Sequence, residues 1–124
     1  MQALIKEMQI NTRTVLVVED DAVVRRQIVR ILEQFGYNLL QAPDGQEAIR
    51  IIDSQEIHLV VTDLRMPFGG GISLLKYVKI FFPQIPVIVV TAYPEDLKDI
   101  QPDALICKPF GSDKLIYSVQ HLIQ

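Results

Sequence analysis

The feature that most limits what this chain can become is an alternation of two hydrophobic periodicities. Thr14–Val18, Leu39–Ala42, Leu59–Thr62, Pro86–Val90 and Ala104–Cys107 are short apolar runs with little polar alternation, the pattern of strands covered on both faces. Between them, apolar residues recur at steps of three and four. Ala22–Phe35 carries Val24, Ile28, Ile31, Leu32 and Phe35, and Gly36 follows where a helix-ending glycine belongs. Gly45–Asp53 carries Ala48, Ile49 and Ile52; Ile72–Phe82 carries Leu74, Leu75, Val78 and Phe82 and is stopped by Pro83. Ser112–Ile123 sets Ser112 as the expected N-cap ahead of Leu115, Ile116, Val119, Leu122 and Ile123. Such alternation predicts an α/β domain over residues 14–124: a parallel sheet, right-handed crossovers and helices on both faces. Residues 1–13 read as an N-terminal extension, either a frayed tail or one amphipathic turn through Leu4, Ile5 and Met8.

Composition narrows the function classes. A chain of 124 residues with 49% hydrophobic residues has the core for one domain. A net charge of −3, with no basic run longer than Arg25-Arg26, argues against direct nucleic-acid or membrane binding. The apolar runs are far too short to span a bilayer. A single cysteine, Cys107, makes no internal disulfide and predicts a reducing, cytoplasmic setting; it reads as a small buried hydrophobe of the last strand. His58 and His121 read as ordinary surface residues.

The chemistry gathers at the strand ends. The first run ends in Glu19, Asp20 and Asp21, the third in Thr62 and Asp63, the fourth in Thr91 and the fifth in Lys108. All C-terminal ends of a parallel sheet share one edge, where ligands of such folds bind. Carboxylates brought within about 4 Å repel by roughly 4 kcal/mol at an effective dielectric near 20. A hard divalent cation with oxygen ligands offsets that repulsion, and Mg²⁺ fits a set without His or Cys. Acids, metal, lysine and hydroxyl together form a means of neutralising a phosphoryl group. Asp21, the third acid, is expected to cap the first helix.

The segments VLVVEDD, VVTDLRMP, VIVVTA and CKPF resemble, in order and near spacing, the bacterial two-component response-regulator receiver family, over about Val15 to Leu122. TDLRMP with VIVVTAY is most similar to receivers of nitrogen-regulator or nodulation type. The resemblance implies a flavodoxin-like sheet of order 2-1-3-4-5. It implies that Asp63 is the phosphoacceptor, taking its group from a sensor histidine kinase or phosphotransfer protein. It further implies that Glu19, Asp20, Asp63 and the Arg65 backbone carbonyl hold Mg²⁺. Lys108 pairs with the phosphoryl oxygens, Thr91 is the switching hydroxyl, and Pro109 follows a cis bond. By the same resemblance Arg65 and Tyr93 tune phosphoryl lifetime, and their bulk predicts slow hydrolysis.

Three departures bear on mechanism. Leu105 stands where many receivers carry the aromatic switch partner of the threonine. Only 16 residues separate Thr91 from Lys108, and Pro94 and Pro102 limit any helix there, so the fourth helix is expected to be short or missing. PFGGG places three glycines beside Asp63, which predicts a mobile loop. The leading expectation is a phosphoacceptor module that passes its state to a downstream protein or effector domain, either stand-alone or part of a longer protein, with homodimerisation left open. It would catalyse only its own phosphorylation and dephosphorylation. Alternatives are an unphosphorylated interaction scaffold and, remotely, a Mg²⁺-dependent phosphatase working through an aspartyl-phosphate.

Overall fold

The computed structural model describes residues 13–123. In chain order the elements are β1 (Thr14–Val18), α1 (Ala22–Glu33), β2 (Asn38–Ala42), α2 (Gly45–Ser54), β3 (Leu59–Thr62) and α3 (Gly71–Phe81). These are followed by β4 (Val87–Thr91), a 3-10 segment (Pro94–Leu97), β5 (Ala104–Cys107) and α4 (Ser112–Leu122). All strand pairs are parallel, in the order β2-β1-β3-β4-β5, as expected. The expectation for the N-terminal extension, Arg13 apart, lies outside the described residues. No described helix is long and apolar enough to cross a membrane.

Alternate residues of each strand enter different cores, which explains the missing polar alternation. Leu16, Val18, Val60, Val87 and Val89 pack with Ala48, Ile52, Leu74, Leu75 and Val78 of α2 and α3. Val15, Val17, Val61, Ile88, Val90 and Ile106 pack with Ile28, Leu32, Leu115 and Val119 of α1 and α4. Both faces of the sheet are thereby buried, so its C-terminal edge is the natural place for polar chemistry.

The helix ends follow local rules with one correction. Asp21 caps α1, its Oδ1 accepting from the N–H groups of Val23 and Val24 at 2.9 and 3.2 Å. α1 stops at Glu33, and Gly36 takes a φ of 82° in the turn beyond it. Ser112, expected as a cap, is instead the first residue of α4; Gly111 occupies the cap position and offers no side chain. The Lys108–Pro109 bond is cis.

The fourth crossover holds no α-helix, only the 3-10 segment, whose Leu97 is buried in the core. This has a cost in cover. Leu105 and Cys107 are register partners of Val89 and Thr91 and so share their sheet face, yet β5 is the edge strand. Leu105 remains 38% exposed, and Cys107 is exposed rather than buried as its apolar run predicted. His58 also departs from expectation: it is half-buried, and its Nδ1 accepts the Thr14 N–H at 2.9 Å, tying the start of β3 to the start of β1. His121 is exposed, as expected, and stacks on Tyr117.

The glycine loop, expected to be mobile, makes close backbone contacts. The Gly45 N–H donates to the Gly69 carbonyl at 2.8 Å, and the Gly71 N–H to the Leu64 carbonyl at 2.8 Å. Gly69 needs its φ of +95°, and a Cβ on Gly45 would lie 2.6 Å from the Gly69 carbonyl oxygen. The glycines therefore let the N-terminus of α2 close onto the loop that follows Asp63. Met66, on the same loop, packs against the core beneath it.

Candidate functional site

The C-terminal edge assembles the acids and the lysine as the strand ends required. Glu19 follows β1 and is 2% exposed; its N–H donates to the Ala42 carbonyl of β2 at 3.1 Å. The Asp63 N–H donates to the Val18 carbonyl at 3.1 Å, which fixes the loop that follows β3 to β1. Lys108, beyond β5, is held by its N–H on the Thr91 carbonyl at 2.9 Å. Its Nζ donates to Glu19 Oε1 at 2.7 Å and to Asp63 Oδ2 at 3.0 Å. The other Asp63 oxygen, Oδ1, takes the Leu64 N–H at 2.6 Å. Charged donors and acceptors at these distances make strong, directional contacts.

Electrostatics set the state of this cluster. Burial pushes the Glu19 carboxyl above its ordinary value, and the hydrogen bond from Lys108 counteracts only part of that push. Burial alone would draw the Lys108 ammonium down, but its hydrogen bonds to Glu19 and Asp63 outweigh this and hold it above its usual value. Lys108 is therefore a fixed cation at the centre of the acids, with a side chain only 22% exposed.

One carboxylate oxygen each from Glu19, Asp20 and Asp63 lies within 4.8 Å of the others. An all-oxygen, acidic set with one exposed member suits Mg²⁺, which keeps several of its waters. The residues present thus fit the ion. Thr91 is fully buried at the end of β4, and its Oγ1 accepts the Tyr93 N–H at 3.0 Å. Arg65 and Tyr93 meet outside this centre: the guanidinium carbon lies 3.5 Å from the centre of the Tyr93 ring. Leu105 is not in the cluster but on the exposed face of β5.

Two contributors escaped the sequence reading. Arg25 Nη1 donates to the Glu19 carbonyl at 2.6 Å and Nε to Gln41 Oε1 at 3.2 Å, bracing the acidic loop from α1. Asp96 receives Arg65 through both oxygens, at 2.7 and 3.1 Å. Neither carries a sequence signal, since the partners lie 6 and 31 positions away with no helical period linking them.

The family model of the response regulator receiver domain matches residues 15–120. The chain belongs to that family. It is 33% identical over 115 residues to response regulator RR06 of Streptococcus pneumoniae, covering 89% of this chain and 52% of that protein. It is 35% identical over 118 residues to the sensor kinase CckA of Brucella abortus, covering 90% of this chain and 12% of that one. Among solved structures it is similar to the response regulator TrrA of Thermotoga maritima, solved in complex with Mg(2+)-BeF, at 28% identity. That match has a TM-score of 0.83 and covers 90% of this chain and all of TrrA. The receiver thus spans about half of RR06 and a small part of CckA. Receivers in general are phosphorylated and bind Mg²⁺. The resemblance to nitrogen-regulator or nodulation types is not shown by these relatives.

Proposed function

We propose that this receiver accepts a phosphoryl group on Asp63 from a phosphohistidine of a sensor kinase or phosphotransfer protein, and that the phosphorylated form changes its affinity for a downstream protein or effector domain. The observation that carries the reading is the Lys108 ammonium, 2.7 Å from Glu19 and 3.0 Å from Asp63, inside an oxygen cluster at the sheet's C-terminal edge. A carboxylate oxygen of Asp63 attacks phosphorus; the new O–P bond forms as the donor's P–N bond breaks, and the departing imidazole takes a proton. Glu19, Asp20, Asp63 and the Arg65 backbone carbonyl would hold Mg²⁺, which supplies charge neutralisation to the phosphoryl oxygens. Lys108 exchanges its Asp63 contact for a phosphoryl oxygen, and the Thr91 hydroxyl is the group at the end of β4 able to donate to another. The resulting shift in population is what a partner reads. The protein acts in the cytoplasm, on no substrate but itself, and without direct contact to nucleic acid or membrane.

The exposure of Leu105 supports a second reading, a receiver used as an unphosphorylated scaffold, because a half-exposed leucine offers no aromatic ring to carry the threonine's movement. Intact mass after incubation with acetyl phosphate separates the two. The first reading requires one added phosphoryl group that is lost in Asp63→Asn and without Mg²⁺. Retention of the unmodified mass, with Mg²⁺ bound, sinks it and favours the scaffold.

A further inference from the structure

A closed ring of contacts lies outside the acidic cluster. Asp96 takes Arg65 Nε at 2.7 Å and Nη2 at 3.1 Å; the Arg65 guanidinium stacks on Tyr93 at 3.5 Å. The Asp96 N–H donates to the Tyr93 carbonyl at 3.1 Å, and the Tyr93 N–H donates to Thr91 Oγ1 at 3.0 Å. Arg65 sits two positions after Asp63 on the loop leaving β3. Tyr93 and Asp96 sit on the segment leaving β4, its hydrogen-bonded neighbour. The ring therefore ties the loop that bears the acceptor to the loop that bears the buried hydroxyl.

We propose that Asp96 is a positioning residue, bracing the Thr91–Tyr93 loop against the Asp63–Arg65 loop and so limiting how readily phosphodonor and water reach the Asp63 carboxylate. This rests on Asp63 being the acceptor. Asp96 is the member that hydrogen-bonds to both others: its carboxylate accepts from Arg65 and its N–H donates to the Tyr93 carbonyl, whereas Arg65 and Tyr93 meet only by stacking. A two-point fork on a carboxylate fixes the guanidinium plane, which sets how it lies on the ring. Each charge also holds the other: the hydrogen bond from Arg65 keeps the Asp96 carboxyl below its ordinary value, and that from Asp96 keeps Arg65 above its own. The fourth crossover matters here: in place of an α-helix it holds a 3-10 segment starting at Pro94, and Asp96 on that segment meets Arg65. Arg65 is more than half exposed, so the brace is open to salt.

The test compares wild type with Asp96→Ala, Asp96→Glu and Arg65→Lys. Phosphorylation by acetyl phosphate and loss of the phosphoryl group are followed by mass at fixed Mg²⁺, with backbone amide hydrogen exchange at Tyr93 measured alongside. Asp96→Ala and Arg65→Lys are expected to raise both rates about two- to fivefold, the span an exposed ion pair commands. Asp96→Glu returns the rates toward wild type. Added salt speeds the wild type and leaves Asp96→Ala unchanged. The Tyr93 amide exchanges faster in Asp96→Ala while those of Ile88 and Val90 in β4 do not. Unchanged rates, or an equal salt response in both proteins, overturn the brace. If wild type takes no phosphoryl group at all, the reading of Asp63 fails, and the Tyr93 amide alone decides whether the brace exists.

Discussion

Replacing Gly71 by alanine tests whether the glycine loop is built for close approach. A Cβ there would overlap the Asp63 carbonyl oxygen, lie 2.8 Å from Leu64 Cα and 2.9 Å from the Asp63 carbonyl carbon. All three neighbours are backbone, so no rotamer change relieves the overlap. Either the N-terminus of α3 or the end of β3 must move, and the Gly71 N–H bond to the Leu64 carbonyl at 2.8 Å is strained with it. Overpacking of a tight interior costs about 1–3 kcal/mol, and an overlap with backbone belongs at the upper end, about 3 kcal/mol. For a domain of this size that loss lowers Tm by about 10 °C. The displaced carbonyl also accepts the Thr62 hydroxyl at 2.8 Å, so Asp63 itself is disturbed and phosphorylation slows. Gly111→Ala is the control: a Cβ there meets nothing within 4 Å, and the cost stays below about 1 kcal/mol, the N-cap preference alone. Thermal and urea unfolding followed by circular dichroism read both variants. Equal losses, or a Gly71→Ala cost below about 1 kcal/mol, would refute the close-approach argument.

Further outcomes follow from the same geometry. Asp21→Ala removes the cap of α1 and should lower the urea-unfolding free energy by about 1 kcal/mol; an unchanged midpoint would show that solvent replaces the cap without loss. The Tyr77 phenol donates to Asp53 at 2.6 Å, and this bond raises its pKa above 10.0. Because the folded value is the higher one, its contribution to stability is complete below pH 10 and disappears as pH rises through the folded value. Asp53→Asn should bring the Tyr77 phenolate absorbance to lower pH, and an identical alkaline titration would count against the bond. Cys107 should react with an aromatic disulfide reagent in the native state without a lag; protection until denaturation would restore the buried reading.

Legibility followed the physics of repetition. Strand and helix positions were readable because Val15–Val18 must fill cores on both faces of the sheet while Leu74, Leu75 and Val78 fill one, and the sheet order followed from the resemblance. Convergence of Glu19, Asp20, Asp63 and Lys108 was readable because a parallel sheet puts its C-terminal ends on one edge. Cys107 was misplaced because an apolar run says nothing about whether its strand lies at an edge, or whether a helix covers it. Ser112 was misread because the chain took its cap position one residue earlier, at Gly111. His58 and Asp96 were invisible as partners because their contacts, to Thr14 and Arg65, join distant segments through single side chains. The glycines of the Asp63 loop carried a true signal of unusual backbone, but the sequence did not tell freedom from crowding.

The lysine at the centre of the site lies 89 residues from Glu19 and 45 from Asp63 along the chain. During synthesis the acids therefore leave the ribosome well before the cation that gathers them. A chain stalled or cleaved ahead of Lys108 keeps Glu19, Asp20 and Asp63 and lacks the ammonium that contacts two of them. The ion pairs of this site therefore form only once the last strand and the residue after it have been made.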